Sequence, residues 1–182
     1  MLAHRSLRLA RWPLALLLAC HGSLFAADSI DVGGSIPQAD AVGEGLFPEE
    51  KCEKLKAAGF QCQGFKPSVR YSLPATSFKI GSADLPDQLK KQLDVFAEVL
   101  KTRRGSGKVV RIEGHADKTG SEDFNRTLSI KRAEAVKEYL VSLGADPEML
   151  AVAGVGSSEP KNSGDPFAPE NRRVEIGRQA PP

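Results

Sequence analysis

The chain has 182 residues, of which 41% are hydrophobic and 26% are charged, and its formal net charge is +2. This length suits one ordinary domain with an extension and is short for two full domains. The near balance of acidic and basic residues lacks the basic footprint of a nucleic-acid-binding protein, so we expect no nucleic-acid partner.

The N-terminus has the features of a secretory signal peptide. Three arginines and no acidic residue precede the apolar run WPLALLLAC, which is too short to span a bilayer. Small residues at Ala26 and Ala27 predict ordinary cleavage, with residues 1–26 as the signal peptide. A second alternative stays open, because LLAC at residues 17–20 resembles the bacterial lipoprotein box, in which Cys20 is lipidated. Either cleavage removes the three arginines and takes the net charge from +2 to −1.

Two segments separate this leader from the main domain. Residues 27–47 are rich in Gly, Ala, Asp and Ser without a sustained apolar period, which predicts a linker. Residues 48–67 predict a short helical arm that opens with a proline and acids and ends near Gly59. In an oxidising compartment Cys52 and Cys62 are predicted to form a structural disulfide, worth about 2–3 kcal/mol. A metal or redox pair is the weaker alternative, because a C-x-x-C spacing and a neighbouring histidine are missing.

The main domain is predicted at residues 68–180, where strand and helix patterns alternate. VRYSLPATSFKI gives one or two strands interrupted by Pro74. Asp84 is the predicted N-cap of a helix whose apolar residues recur at three- and four-residue steps. KVVRIEG predicts a strand, a helix follows at about residues 122–143, and MLAVAGVG and NRRVEIG predict two more strands. This order predicts an α/β fold, a two-layer βαβαβ-β sandwich with the helices on one face of a mixed sheet.

The second long helix carries a basic residue on its apolar face. At 100° per residue, Asn125, Ser129 and Arg132 share one face with the apolar residues that follow them. A buried guanidinium needs a partner, and Asp117 in the preceding loop is the predicted one. Loops at the carboxyl ends of strands in open α/β sheets are common ligand sites. One negative and one positive group across a short gap suit a zwitterionic ligand.

Three short motifs name a family. GHAD at 114–117, NRTLSIKRA at 125–133 and NRRVEI at 171–176 resemble the signature of the OmpA-like C-terminal peptidoglycan-binding domain, which Pal lipoproteins and the flagellar stator protein MotB share. The likeness covers roughly residues 70–178. It implies that the aspartate and arginine matching Asp117 and Arg132 hold the ammonium and carboxylate of diaminopimelate in the peptidoglycan stem peptide.

The same resemblance predicts the other residues of the candidate site. Two positions depart from the family pattern: Ala116 replaces a threonine, and Ala168 replaces an arginine three residues before N-R-R. We therefore expect the pocket to be kept and the rim formed by the last loop to differ. Asn125 either contacts the ligand or holds the loop backbone. The full predicted ligand-binding set is Asp117, Arg132, Asn125, Ala116, Thr119 and Leu128.

Several alternatives accompany this interpretation. Asp117 and Arg132 could form a structural ion pair that ties the loop to the helix. Arg172 and Arg173 are predicted on the last strand, one directed to a buried acceptor and the other to solvent. No cofactor or metal site is predicted, because His115 is the only histidine that remains after cleavage at Ala26.

The predicted function is non-catalytic. We expect a periplasmic or outer-membrane protein of a Gram-negative bacterium that binds peptidoglycan. It would tether the cell wall to the outer membrane through a lipid anchor, or to an envelope protein through the N-terminal arm. One competing hypothesis is a cell-wall hydrolase that uses Asp117 with His115. The other is a flagellar-stator-like component, which is disfavoured because no spanning helix with a polar residue precedes the domain.

Overall fold

The computed structural model describes residues 29–62, 64, 67–74 and 78–179. The predicted signal peptide and the predicted lipidation of Cys20 lie outside these residues. In the part of the chain that is described, no helix combines the length and the apolar character that a membrane span requires.

Regular structure in the described residues alternates between strands and helices after an N-terminal strand and helical pair. A single-turn 3₁₀ helix precedes each of the last two strands, at Pro147–Met149 and Pro169–Asn171. The strands and α-helices, in chain order, are β1 (Ser29–Asp31), α1 (Ala39–Leu46), α2 (Pro48–Ala57), β2 (Arg70–Leu73), α3 (Asp87–Lys101), β3 (Val110–His115), α4 (Glu122–Ser142), β4 (Leu150–Gly156) and β5 (Val174–Arg178).

The five strands form one mixed sheet in the order β1-β2-β5-β3-β4. β1 pairs parallel to β2 and β3 parallel to β4, whereas β5 runs antiparallel between β2 and β3. The chain crosses from β3 to its parallel neighbour β4 through α4, and from β2 to β3 through α3. The predicted βαβαβ-β sandwich with a mixed sheet is thereby confirmed.

Apolar residues from the helices and from alternate strand positions share one core. The three- and four-residue steps of α3 place one stripe of that helix against the sheet, where all four of its large members are fully buried. α4 and the central strands complete this layer. The fully buried members include Leu89, Leu93, Phe96 and Leu100 of α3, Val136 and Leu140 of α4, Ile112 of β3 and Ile176 of β5.

Two glycines let α4 approach the sheet closely. A β-carbon at Gly114 of β3 would lie 1.9 Å from the carbonyl oxygen of Ser129, and one at Gly154 of β4 would lie 2.3 Å from the side chain of Ile130. Both distances are far below van der Waals contact, so a side chain at either position would push the helix away. The first half of α4 is thus fixed directly above the carboxyl end of β3.

The segment predicted as a linker instead contains β1 and α1. Val42 and Leu46 of α1 are fully buried in the common core, and the hydroxyl of Tyr71 donates a 2.7 Å hydrogen bond to the carbonyl oxygen of Ala41. The prediction of a structureless linker was wrong. Two apolar residues four positions apart define the buried face of this eight-residue helix, and surrounding glycines and alanines conceal so short a pattern.

The start of the next helix, α2, is held against the main domain. Phe47 is buried, and three cationic groups lie over its ring at 4.7 Å for Arg103, 5.1 Å for Arg178 and 5.6 Å for Lys108. Glu49 accepts a 2.9 Å hydrogen bond from Arg178 and lies 2.9 Å from the ammonium of Lys108. Cation–π contacts strengthen when they are desolvated. The arm is therefore docked on the domain at its N-terminal end.

Two predictions for this region have clear outcomes. The disulfide between Cys52 and Cys62 is present and ties α2 to the segment after it. The helix α3, in contrast, begins at Asp87, and its N-cap position is Pro86 instead of the predicted Asp84. The residue before a proline is disfavoured in the helical region, so the helix cannot extend back through Leu85 to Asp84.

Candidate functional site

A cavity of about 180 Å³ opens beside the carboxyl end of β3. Its walls are the loop after β3, the first turns of α4 and a tight turn at residues 79–82. All six residues predicted to bind the ligand line it, namely Ala116, Asp117, Thr119, Asn125, Leu128 and Arg132. The remaining lining residues are Ile80, Gly81, Gly120, Phe124 and Arg172.

Backbone hydrogen bonds fix the loop that carries Asp117. The amide of Ala116 donates to the carbonyl oxygen of Gly156 at 2.8 Å, so the loop continues the strand pairing for one more residue. The side-chain amide of Asn125 donates to the carbonyl oxygen of Asp117 at 3.0 Å. Of the two roles predicted for Asn125, the structure shows the loop-holding one. The amide of Thr119 donates to the Asp117 carboxylate at 2.9 Å, which closes an Asx turn.

Asp117 is paired with Arg172. The guanidinium of Arg172 donates to the second carboxylate oxygen at 2.5 Å, and the Asp117 side chain is almost fully buried. Burial alone would raise the pKa of Asp117, but the hydrogen bonds from Arg172 and Thr119 outweigh it and hold that pKa below 3.8. Asp117 is therefore ionised at neutral pH.

Arg132 contacts a different element, and the prediction that it pairs with Asp117 was wrong. Its Nε donates to the carbonyl oxygen of Ser82 at 3.0 Å and its Nη2 to that of Lys79 at 3.3 Å. The ring of Phe78 lies 4.8 Å from the guanidinium carbon. These acceptors were not apparent in the sequence, because backbone carbonyls are contributed by residues of any type.

The Nη1 nitrogen of this guanidinium makes no hydrogen bond to the described residues. Arg132 is fully buried, and its Nη1 has no hydrogen-bond partner among the described residues. The pKa of Arg132 is lowered to about 10, mainly by burial and also by the charge of Arg172, while Asp117 opposes them. Arg132 is thus still protonated at neutral pH. Because an unpaired buried donor is costly, the cavity offers a strong binding position for an anionic oxygen.

The charges of the cavity favour a carboxylate. Arg132 and Arg172 carry two positive charges against the single negative charge of Asp117. A carboxylate at the Nη1 corner of Arg132 would meet an otherwise uncompensated cation, and an ammonium near Asp117 would meet an ionised acid. The cavity can therefore hold a zwitterion, with the carboxylate as the group that gains most.

Arg172 is the site residue that the sequence prediction missed. It was placed on the last strand with Arg173, yet β5 begins at Val174 and both arginines precede it. Arg173 reaches a buried acceptor as predicted, donating to Glu175 at 2.6 Å, whereas Arg172 enters the cavity instead of facing solvent. Buried Asn171 fixes this geometry by donating to the carbonyl oxygens of Asn162 and Asp165. Only the place of Arg172 within the N-R-R motif signalled such a role.

His115 belongs to a separate cluster. It is fully buried, and it can place a ligand atom together with Glu113 and Glu175 so that all three atoms lie within 4.8 Å of one another. Such a group could in principle hold a metal ion. However, the carboxylate of Glu113 lies 2.7 Å from both Arg70 and Arg111.

Arginines therefore already neutralise this cluster. Glu175 is paired with Arg173 at 2.6 Å and with Arg70 at 3.2 Å. Because guanidinium groups occupy the carboxylates, a divalent cation would be repelled by them as well as attracted. The cluster is better explained as a structural ion network.

The cluster also decides the protonation of His115. The pKa of His115 is lowered to about 4, mainly by burial and also by the charges of Arg173 and Arg70, while Glu175 opposes them. The imidazole is consequently neutral at pH 7. His115 does not line the cavity that contains Asp117, so the structure does not assemble the pair that the hydrolase hypothesis required.

Known proteins with this sequence pattern and fold are envelope proteins. The chain is 39% identical to the peptidoglycan-associated lipoprotein of Pseudomonas aeruginosa over 54% of this chain and 58% of that protein. It is 29% identical to the lipoprotein of the same name from Legionella pneumophila over 88% of this chain and 87% of that protein. The crystal structure of the peptidoglycan-associated lipoprotein from Burkholderia pseudomallei superposes with a TM-score of 0.51 at 27% identity, covering 59% of this chain and 89% of that one.

The matches cover part of this chain and part of the relatives. The chain spans about three fifths of the length of the Pseudomonas aeruginosa lipoprotein and of the lipoprotein of the same name from Pseudomonas putida, to which it is 36% identical. The sequence profile of the OmpA family matches residues 77–173, which is more than half of the chain and includes every residue that lines the candidate cavity. The protein therefore belongs to the OmpA family.

Proposed function

We propose that this protein binds peptidoglycan without cleaving it, by gripping the free ammonium and carboxylate of diaminopimelate in the stem peptide. The observation that carries the proposal is Arg132, a fully buried cation that lines the cavity and whose Nη1 has no hydrogen-bond partner among the described residues. The carboxylate of the ligand would bind there, and its ammonium would approach Asp117. The Pseudomonas and Legionella relatives are both named peptidoglycan-associated lipoproteins, and these names support peptidoglycan as the partner.

We further propose that the protein works in the envelope of a Gram-negative bacterium and tethers the cell wall. If Cys20 is lipidated, the tether would end in the outer membrane; if cleavage follows Ala26, the tether would end on a periplasmic protein. In the second case the N-terminal arm is the proposed contact, and it exposes Leu55 and Phe60 on its outer side. The mass of the mature N-terminus from membrane and soluble fractions distinguishes the two.

The binding proposal is tested with purified sacculi. Binding without cleavage predicts that the mature protein cosediments with the sacculi and releases no soluble fragments. Release of soluble muropeptides would refute the non-catalytic part of the proposal. Failure to cosediment, together with no heat of binding to the tripeptide L-Ala-γ-D-Glu-meso-diaminopimelate, would refute the binding part.

Two conservative variants locate the site. Arg132→Lys keeps the positive charge but cannot contact Ser82, Lys79 and a ligand carboxylate with one fixed fork, so tripeptide binding should weaken by about tenfold or more. Asp117→Asn removes the acid that would hold the ammonium and should weaken it similarly.

Matched controls lie on the same helix. Arg126 and Asp123 of α4 are exposed and do not line the cavity. Arg126→Lys and Asp123→Asn should therefore bind the tripeptide as the wild type does. If the Arg132→Lys and Asp117→Asn variants also bind like the wild type, the ligand does not occupy this cavity.

A further inference from the structure

Two large apolar side chains stand exposed at the mouth of the candidate cavity. Ile80, in the turn at residues 79–82, is 80% exposed, and Phe124, in the first turn of α4, is 51% exposed. Single exposed apolar residues are common and need no explanation. These two residues come from elements far apart in sequence, yet both line the same cavity as Arg132, whose Nη1 has no hydrogen-bond partner among the described residues.

The position of Ile80 is fixed by Arg132. The amide of Ser82 donates to the carbonyl oxygen of Lys79 at 3.1 Å, which closes the turn, and Gly81 adopts the positive φ of +71° that this turn requires. The guanidinium of Arg132 holds the carbonyl oxygens at both ends of the turn. Ile80 is consequently presented at its apex by the same residue that would bind the ligand carboxylate.

The size of the cavity limits how much of a ligand it can enclose. Its volume of about 180 Å³ is below the range of about 300–1,000 Å³ that is typical of pockets for small molecules. This space accommodates one zwitterionic head group and not a whole peptide. The remainder of any larger ligand must leave through the mouth, between or beside Ile80 and Phe124.

We propose that Ile80 and Phe124 form an apolar collar around the methylene chain of diaminopimelate, where the chain emerges from the cavity toward the rest of the stem peptide. This inference rests on the proposed function and adds to it the residues that select an aliphatic linker behind the zwitterion. Three methylene groups separate the free zwitterionic end of diaminopimelate from the end that is joined to the stem peptide, and burying them against two apolar side chains removes apolar surface of both partners from water. A zwitterion followed by a polar or charged linker would lose this contribution.

The test measures binding of the tripeptide L-Ala-γ-D-Glu-meso-diaminopimelate by calorimetry. Ile80→Ser and Phe124→Ser should each weaken binding by about fivefold, the effect expected when part of a large apolar side chain no longer covers the ligand. Ile80→Val and Phe124→Leu keep an apolar surface and should stay within about twofold of the wild type. Both positions are exposed, so the variants should retain the wild-type circular dichroism spectrum.

Matched controls test whether any exposed apolar residue has this effect. Ile36 is 50% exposed and Phe60 is 64% exposed, and neither lines the cavity. Ile36→Ser and Phe60→Ser should bind like the wild type. Intermolecular nuclear Overhauser effects between the ligand methylenes and the methyl groups of Ile80 provide a second readout, which an indirect structural role would not produce.

The outcomes separate the collar from the proposed function. If the wild type binds the tripeptide and the Ile80→Ser and Phe124→Ser variants bind equally well, the collar is refuted while the function stands, and the two residues serve another partner. If the wild type itself gives no binding, the proposed function fails, and the collar fails with it.

Discussion

The protonation of His115 provides a quantitative test of the ion network beneath the site. The imidazole is fully buried, its two nitrogens have no hydrogen-bond partner among the described residues, and its pKa is lowered from 6.5 to about 4. Around it lie the carboxylates of Glu113 and Glu175 and the guanidinium groups of Arg70 and Arg173. We expect this histidine to make the fold sensitive to mild acid.

The direction of the change in stability follows from the pKa values of His115 in the unfolded and folded states. Between pH 6.5 and pH 4 the unfolded chain binds a proton at this histidine and the folded protein does not, so the free energy of unfolding falls as the pH falls. For pKa values of 6.5 and about 4, the loss between pH 7.5 and pH 4.5 is about 2–3 kcal/mol. Glu175 acts in the same direction but in more acidic solution, because Arg173 and the other groups around it outweigh burial and lower the pKa of Glu175.

The variant His115→Gln isolates the effect. Glutamine cannot take up the proton, so the difference in stability between wild type and variant should shift by about 2–3 kcal/mol in favour of the variant between pH 7.5 and pH 4.5. Urea unfolding followed by circular dichroism at both pH values measures this shift, and comparing differences cancels the contribution of the carboxylates.

The folded pKa of His115 can also be measured directly. The other two histidines, His4 and His21, lie in the predicted signal peptide, so a protein that starts at residue 27 has a single imidazole. Its nuclear magnetic resonance titration reports the folded pKa of His115 directly. A stability difference that is the same at both pH values, or a folded pKa near 6.5, would contradict the assignment of a neutral, desolvated imidazole.

Three further predictions concern the site and the arm. Arg172→Gln should raise the pKa of Asp117, because the hydrogen bond that opposes burial is lost; carbon-13 titration of the carboxyl group measures it, and an unchanged pKa would mean that the ion pair does not form in solution. Phe47→Ala should cost about 3–5 kcal/mol of stability, measured by urea unfolding, and a loss below about 1 kcal/mol would show that the arm is not docked. Replacing Cys52 and Cys62 by serine should lower stability by about 2–3 kcal/mol, and an equal melting midpoint for the oxidised and serine forms would contradict it.

The core of the fold could be predicted because its signals are local and repeated. The stripe of α3 provides several residues that agree on one buried face, and the β-branched residues of KVVRIEG indicate the buried strand β3. The end of α4 could be predicted from Gly144, and the structure shows that Ser121 caps its start by accepting from the amide of Phe124. Such signals require no knowledge of the rest of the chain.

The N-terminal segment shows where local signals are insufficient. α1 has one full turn of buried contacts and lies among residues that favour loops, so its composition predicts a linker. It is helical because Val42 and Leu46 fill the core beside α3, and because Tyr71 of β2 bonds to the carbonyl oxygen of Ala41. Those partners lie more than 25 residues away, at distances that no periodicity reports.

The candidate site depends both on local sequence signals and on contacts between distant residues. Helical geometry correctly placed Arg132 on the buried face of α4 near the loop of Asp117, since direction follows from 3.6 residues per turn. Its partners could not be predicted in this way, because charge matching considers side chains and Arg132 is held by two backbone carbonyls of a distant turn. This difference has a functional consequence. An arginine neutralised by Asp117 would have to break that ion pair to accept a ligand, whereas carbonyl oxygens position the guanidinium and leave its positive charge uncompensated for an incoming carboxylate.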